Sequence, residues 1–196
     1  MHIDRRTALM LGLGAGASTL IQDIAFAQAK DSVTIGWPSD VPSWDPNQRF
    51  TPDAQPIFKL VFDQPLDQNE KLDLIPKLVT KWQLAADGQS MTVELRDDVT
   101  FHNGDKMTAE DFRYTFFERI KAGHAVDTKN SWRKVTDIEI SSPTGVTMKF
   151  DSAAPTAPQW LSFLGSFIVP KGFMEKVTVD GFRDKPVGTG DRKSVV

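Results

Sequence analysis

The sequence predicts a mixed α/β protein of the α+β kind, on three observations. Short runs alternate apolar and polar residues in the strand period, most clearly Met91, Val93 and Leu95 against Thr92, Glu94 and Arg96. A helical stretch follows a capping sequence at Thr108. The connections between these pieces are long and rich in proline, as connections that line binding surfaces tend to be.

Taken in order, residues 32–37 (Ser-Val-Thr-Ile-Gly-Trp) alternate and are expected to form a strand. Pro38, Pro42, Pro46, Pro52 and Pro56 follow closely, so residues 38–56 are expected to be extended loop. Residues 57–62 are apolar and fit either a helix end or a buried strand. Asp87-Gly88 marks a turn ahead of the Met91, Val93, Leu95 strand. Val99 and Phe101 carry that apolar face past Asp97-Asp98, and His102-Asn103-Gly104-Asp105 turns the chain again. The Thr108 hydroxyl can serve orphan amides of a helix whose first turn holds Glu110 and Asp111. Phe112, Thr115, Phe116 and Ile120 lie on one face of it, and Gly123 ends it. Residues 135–140 and 146–150 alternate on either side of residues 141–145, which predicts a β-hairpin. Pro155 and Pro158 break the chain, and residues 160–169 are aromatic and apolar up to Pro170.

The 196 residues carry a net charge of −3, with 40% hydrophobic and 25% charged residues. That balance excludes a disordered chain and offers no basic excess for nucleic acid. Cysteine is absent, so disulfides, thiolate metal sites and a cysteine nucleophile are excluded. Arg5-Arg6, an uncharged segment over residues 7–22 and Ala25-Phe26-Ala27 give residues 1–27 the three-part pattern of an export signal. The paired arginines fit the twin-arginine route or general secretion, and either places the mature protein outside the cytoplasmic membrane. At the other end, residues 191–196 match one translated frame of a short-read sequencing adapter and are expected to be a non-native tail.

Chemistry-bearing patterns are weak. His102 and His124 lack metal-ligand spacing and read as solvated turn residues. No G-x-S-x-G elbow occurs. Asp97-Asp98 sits in a turn and Glu110-Asp111 at a helix start, so neither pair points to acid/base work. Tryptophan is plentiful, at five. Trp82 reads as core, whereas Trp44 in the proline-rich loop could either stack on a ligand or cover the core.

Residues 74–104, from Leu74-Ile75-Pro76-Lys77 through Trp82 and Asp87-Gly88 to Phe101-His102-Asn103-Gly104, resemble the family 5 solute-binding proteins, extracytoplasmic receptors of peptide and nickel ABC transporters. Met107-Thr108-Ala109-Glu110-Asp111-Phe112, the hairpin, Ala154-Pro155 and Pro186-Val187-Gly188-Thr189-Gly190 continue the likeness in the same order. The resemblance implies a two-lobed protein of the type II periplasmic-binding fold, of which residues 28–190 would be an incomplete first lobe. It implies capture of a peptide-like solute in the periplasm for ABC permease and ATPase subunits, with the protein peripheral to the membrane through the permease. No catalysis, cofactor, metal or nucleic acid is implied. Ser39, Trp44, Asn47 and Gln48, in the loop after the first strand, are expected to face the cleft, with Gly188 and Thr189 at the approach to the hinge. An exported hydrolase or cofactor enzyme and a chemosensory receptor on the same scaffold are the competing readings.

Overall fold

The structure, a computed structural model, describes residues 35–38, 40, 41, 43–49, 51–163 and 165–192. The chain divides into two units, residues 1–37 and 38–196. Of the first unit only Ile35, Gly36 and Trp37 are described; they are exposed and in no strand, so the described part of the expected first strand is not one. The rest of that strand, and the export signal, lie outside the described residues.

In the second unit a loop runs to a 3-10 turn at Pro52–Ala54, followed at once by helix α1, Gln55–Val61. The proline-rich loop is therefore shorter than the prolines suggest. Pro52 and Pro56 each occupy the first turn of a helical segment, where the missing N–H would have had no partner and the fixed φ favours helix. The apolar residues 57–62 resolve accordingly as mostly helix. A small hairpin follows, β1 (Leu66–Gln68) on β2 (Leu74–Pro76).

The main sheet is antiparallel, in the order β3-β4-β6-β5, built from Val79–Leu84, Ser90–Leu95, Gly145–Phe150 and Val135–Ile140 respectively. The predicted hairpin is present as β5 on β6, and the turn predicted at Asp87-Gly88 joins β3 to β4. Gly88, at φ +69°, takes the left-handed position in the β3–β4 turn. Met91, Val93 and Leu95 point inward while Thr92 and Glu94 stay exposed, so the period-2 pattern fixes which face meets the core.

Helix α2 covers that face. It starts as Ala109–Arg113, widens into a π-helical stretch at Tyr114–Glu118 and finishes as Arg119–Lys121. Phe112, Thr115, Phe116 and Ile120 are all buried, as their spacing predicts. Phe116 lies 5.0 Å from the buried Trp132 ring on α3, Lys129–Trp132. The cap works through Asp111, whose carboxylate accepts the Thr108 N–H at 2.8 Å, the Thr108 hydroxyl at 3.1 Å and the Lys171 N–H at 2.9 Å. Two further helices, α4 (Ala157–Trp160) and α5 (Lys171–Asp184), complete the unit. Pro158 again sits in a first helical turn rather than breaking the chain. α5 is interrupted at Thr178, which adopts φ +66°.

Burial pushes the Asp111 carboxyl above its ordinary range, against the pull of the hydrogen bonds from Lys171 and Thr108. A raised carboxyl favours the protonated form in the folded state. Its contribution is present below the unfolded pKa of 3.8 and is lost as pH rises through the raised folded value. Asp111→Asn is therefore expected to close part of its stability gap to the wild type as pH rises from about 4 towards neutrality. Urea unfolding at a series of pH values checks this; a gap that widens over that interval contradicts it.

Candidate functional site

The loop before the 3-10 turn is shaped by its own side chains. Ser43 Oγ accepts the Asp45 N–H at 3.1 Å, and Asp45 Oδ1 accepts the Asn47 N–H at 3.1 Å. The Gln48 N–H closes a turn on Asp45 O at 3.3 Å, with Pro46 supplying the fixed φ. This winding turns Asp45 and Asn47 inward, onto Arg119 of α2.

Arg119 and Asp45 form an ion pair with no exposure on either side chain. Arg119 Nη1 also donates to Asp45 Oδ1 at 3.2 Å and to Asn47 Oδ1 at 2.6 Å. The fork of the guanidinium suits such a two-oxygen grip. Arg119 Nε has no hydrogen-bond partner among the described residues. Asn47 passes the network on: its Nδ2 donates to Gly165 O at 2.7 Å and to Phe167 O at 3.1 Å. Thr128 Oγ1 adds a 3.4 Å bond to Asn47 O. Loop, α2 and the 165–167 stretch are thereby joined through buried polar groups, which is affordable only when the partners are present.

Trp44 is half-buried and sets its ring edge-on to Phe58 of α1, with centroids 6.3 Å apart. Phe58 meets Phe62 and Phe167 at 6.2 and 6.0 Å. Gln48 is half-buried and its carbonyl accepts the Asp127 N–H at 3.3 Å. Ser39 lies outside the described residues.

At the far end of α1 a second cluster forms around Gly188 and Thr189. The Gly190 N–H donates to Val61 O and the Arg192 N–H to Leu60 O, both at 3.0 Å, so a distant segment satisfies the last carbonyls of α1. A Cβ on Gly188 would stand 2.1 Å from Val61 O and 2.6 Å from Phe62 Cδ1. The Thr189 hydroxyl donates to Asp63 Oδ2 at 3.1 Å, and Asp63 pairs with Lys77 at 3.3 Å. His102 completes the cluster. Its N–H donates to Gly188 O at 2.9 Å, and its ring lies between the Gly188 N–H and Gly190 O. His102 is thus half-buried and bonded across the fold, not a solvated turn residue; His124 is exposed.

The structure brings Trp44, Asn47 and Gln48 together on one loop and Gly188 with Thr189 on another, and α1 stands between the two. Both clusters are held by backbone and side-chain hydrogen bonds, with none of the nucleophile–base geometry that bond chemistry requires. The family model for bacterial extracellular solute-binding proteins, family 5, middle region, matches residues 73–191. The chain belongs to this family. It is a family of binding proteins and not of enzymes, so the hydrolase reading is set aside.

This family 5 chain is 28% identical over 173 residues to the nickel-binding periplasmic protein of Escherichia coli, covering 85% of this chain and 32% of that one. It is 24% identical over 172 residues to a probable peptide ABC transporter periplasmic-binding protein of Sinorhizobium fredii, covering 86% of this chain and 32% of that one. The crystal structure of Campylobacter jejuni NikZ in complex with Ni(L-His) superposes with a TM-score of 0.71 at 26% identity, over 81% of this chain and 32% of that one. The mixed α/β fold therefore corresponds to part of the type II periplasmic-binding fold, and the chain spans about a third, 32%, of the relatives it matches.

Three residues that organise this site escaped the sequence reading: Asp45, Asp63 and Arg119. Arg119 left a signal. It falls on the apolar face of α2, three and four residues after Phe116 and Thr115, and a charge at such a position calls for a buried partner.

Proposed function

We infer that this chain is part of an extracytoplasmic receptor that captures a peptide-like solute and delivers it to the permease and ATPase of an ABC transporter. The family match over residues 73–191 carries this reading. The name of the Sinorhizobium relative, which joins peptide, ABC transporter and periplasm, supports a peptide-like solute and a periplasmic setting. On this reading Trp44, Gln48 and Ser39 face the solute, with Asn47 holding their loop in place. Gly188 and Thr189 lie at the approach to the hinge between lobes, where closure on the ligand takes place. Backbone groups and bridging water read a peptide while tolerating varied side chains. The receptor is peripheral to the membrane and works in the periplasm.

A second reading takes nickel bound to a small organic chelator as the cargo. It is favoured by the name of the nickel-binding Escherichia coli relative, at 28% identity, and by the Ni(L-His) complex of the Campylobacter jejuni structure, at 26%.

Titration calorimetry separates them. The protein, in the longest form its gene encodes, is titrated with dipeptides, with oligopeptides and with Ni(II)–L-histidine. Saturable one-site heat with a peptide is the expected result. Binding of the nickel complex alone replaces the peptide reading with the second. Failure to bind any of the three overturns both.

A further inference from the structure

Two hydrogen bonds define the state of the His102 ring, and a third ties its backbone to the same segment. The Gly188 N–H donates to Nδ1 at 3.3 Å, so Nδ1 carries no proton. Nε2 stands 2.8 Å from Gly190 O. A carbonyl only accepts, so Nε2 carries the proton. The His102 N–H on Gly188 O, at 2.9 Å, ties the same two residues through the backbone. This geometry requires a neutral imidazole in the Nε2–H tautomer.

The geometry points to His102 as a proton-operated clasp on residues 188–190. A proton arriving at Nδ1 replaces the acceptor with a donor facing another donor, the Gly188 N–H. That bond breaks, and the imidazolium retains only its bond to Gly190 O. The clasp is present while the ring is neutral and is lost when Nδ1 takes a proton, because the Gly188 N–H then has no acceptor there.

The charged groups around the ring do not supply a replacement bond. Asp105, on the histidine's own turn, accepts from Asn103 Nδ2 at 2.8 Å. Asp63, just beyond α1, is taken up by Thr189 and Lys77. Asp191 and Arg192 pair with each other at 3.8 Å. Among the described residues none of these is hydrogen-bonded to the imidazole.

The consequence for solute handling rests on the proposed function: if 188–190 is the approach to the hinge, acid frees the hinge side of the cleft. The clasp itself is measured with no solute present, so a failure to bind solute and a failure of the clasp are separate outcomes.

Amide hydrogen exchange by NMR, corrected for the intrinsic pH dependence, provides the test, together with ¹⁵N shifts of the ring. Between about pH 8 and about pH 5, Gly188 protection is expected to fall at least tenfold while Met91 and Phe116 keep theirs. The ring shifts are expected to show a bare Nδ1 at the higher pH. In His102→Asn, whose Oδ1 accepts at any pH, Gly188 protection is expected to be the same at both. Unchanged wild-type protection, a protonated Nδ1 at the higher pH, or the same acid loss in the variant each overturns the clasp. Should His102→Asn leave Gly188 unprotected throughout, the wild-type titration decides: Gly188 exposure and Nδ1 protonation must share one midpoint, and two separate midpoints overturn it.

Discussion

Asp45→Ala is expected to destabilise the protein by about 3–5 kcal/mol, the range for breaking a buried pair from one side. The variant leaves the Arg119 guanidinium with no exposure and without the carboxylate that accepts two of its hydrogen bonds. Asn47 is the only other partner among the described residues, and one amide oxygen cannot neutralise a cation. The same substitution unmakes the local turn, because Asp45 Oδ1 also holds the Asn47 N–H. Urea unfolding measures the loss as a lowered midpoint. The double variant Asp45→Leu with Arg119→Met is expected to recover much of it, since apolar isosteres of a buried pair often match the pair in stability. A single-variant loss under about 1 kcal/mol would show that the pair is wet and weak.

The second large effect concerns Gly188. Its φ is not in the left-handed region, so its role is closeness and not backbone freedom. An alanine Cβ would meet the Val61 carbonyl at 2.1 Å and its carbon at 2.9 Å, and backbone cannot step aside as a side chain can. Gly188→Ala is expected to cost about 3 kcal/mol, at the upper end of overpacking, and to undock residues 188–192 from α1. Exchange at Gly190 reports the undocking directly. Gly172→Ala is the control. Nothing lies within 4 Å of that Cβ, and alanine in a helix is worth up to about 1 kcal/mol over glycine. Equal effects at the two glycines would remove the steric argument.

What the sequence made legible is what depends on near neighbours. Met91, Val93 and Leu95 declare a half-buried strand on their own, and Thr108 with Asp111 declares a helix start, because period and capping operate within a few residues. Pro52 and Pro56 misled, since a proline forbids the middle of a helix yet favours its first turn, and only the following residues decide. α5 went unread because Gly172, Val177, Thr178 and Gly181 dilute any helical signal. The site is harder still. Asn47 finds Gly165 118 positions away, and Thr189 finds Asp63 at 126. No periodicity spans such gaps; only the resemblance pointed to that stretch, and it named neither Asp45 nor Asp63.

Helix α1 has seven residues, too few to persist in water by themselves. Its last two carbonyls receive their donors from Gly190 and Arg192. During synthesis the ribosome releases α1 long before it releases those donors. The sheet and α2, whose partners lie closer together along the chain, can form in the interval, while α1 waits unfinished. This corner of the molecule can therefore be completed only after Gly190 and Arg192 have left the ribosome.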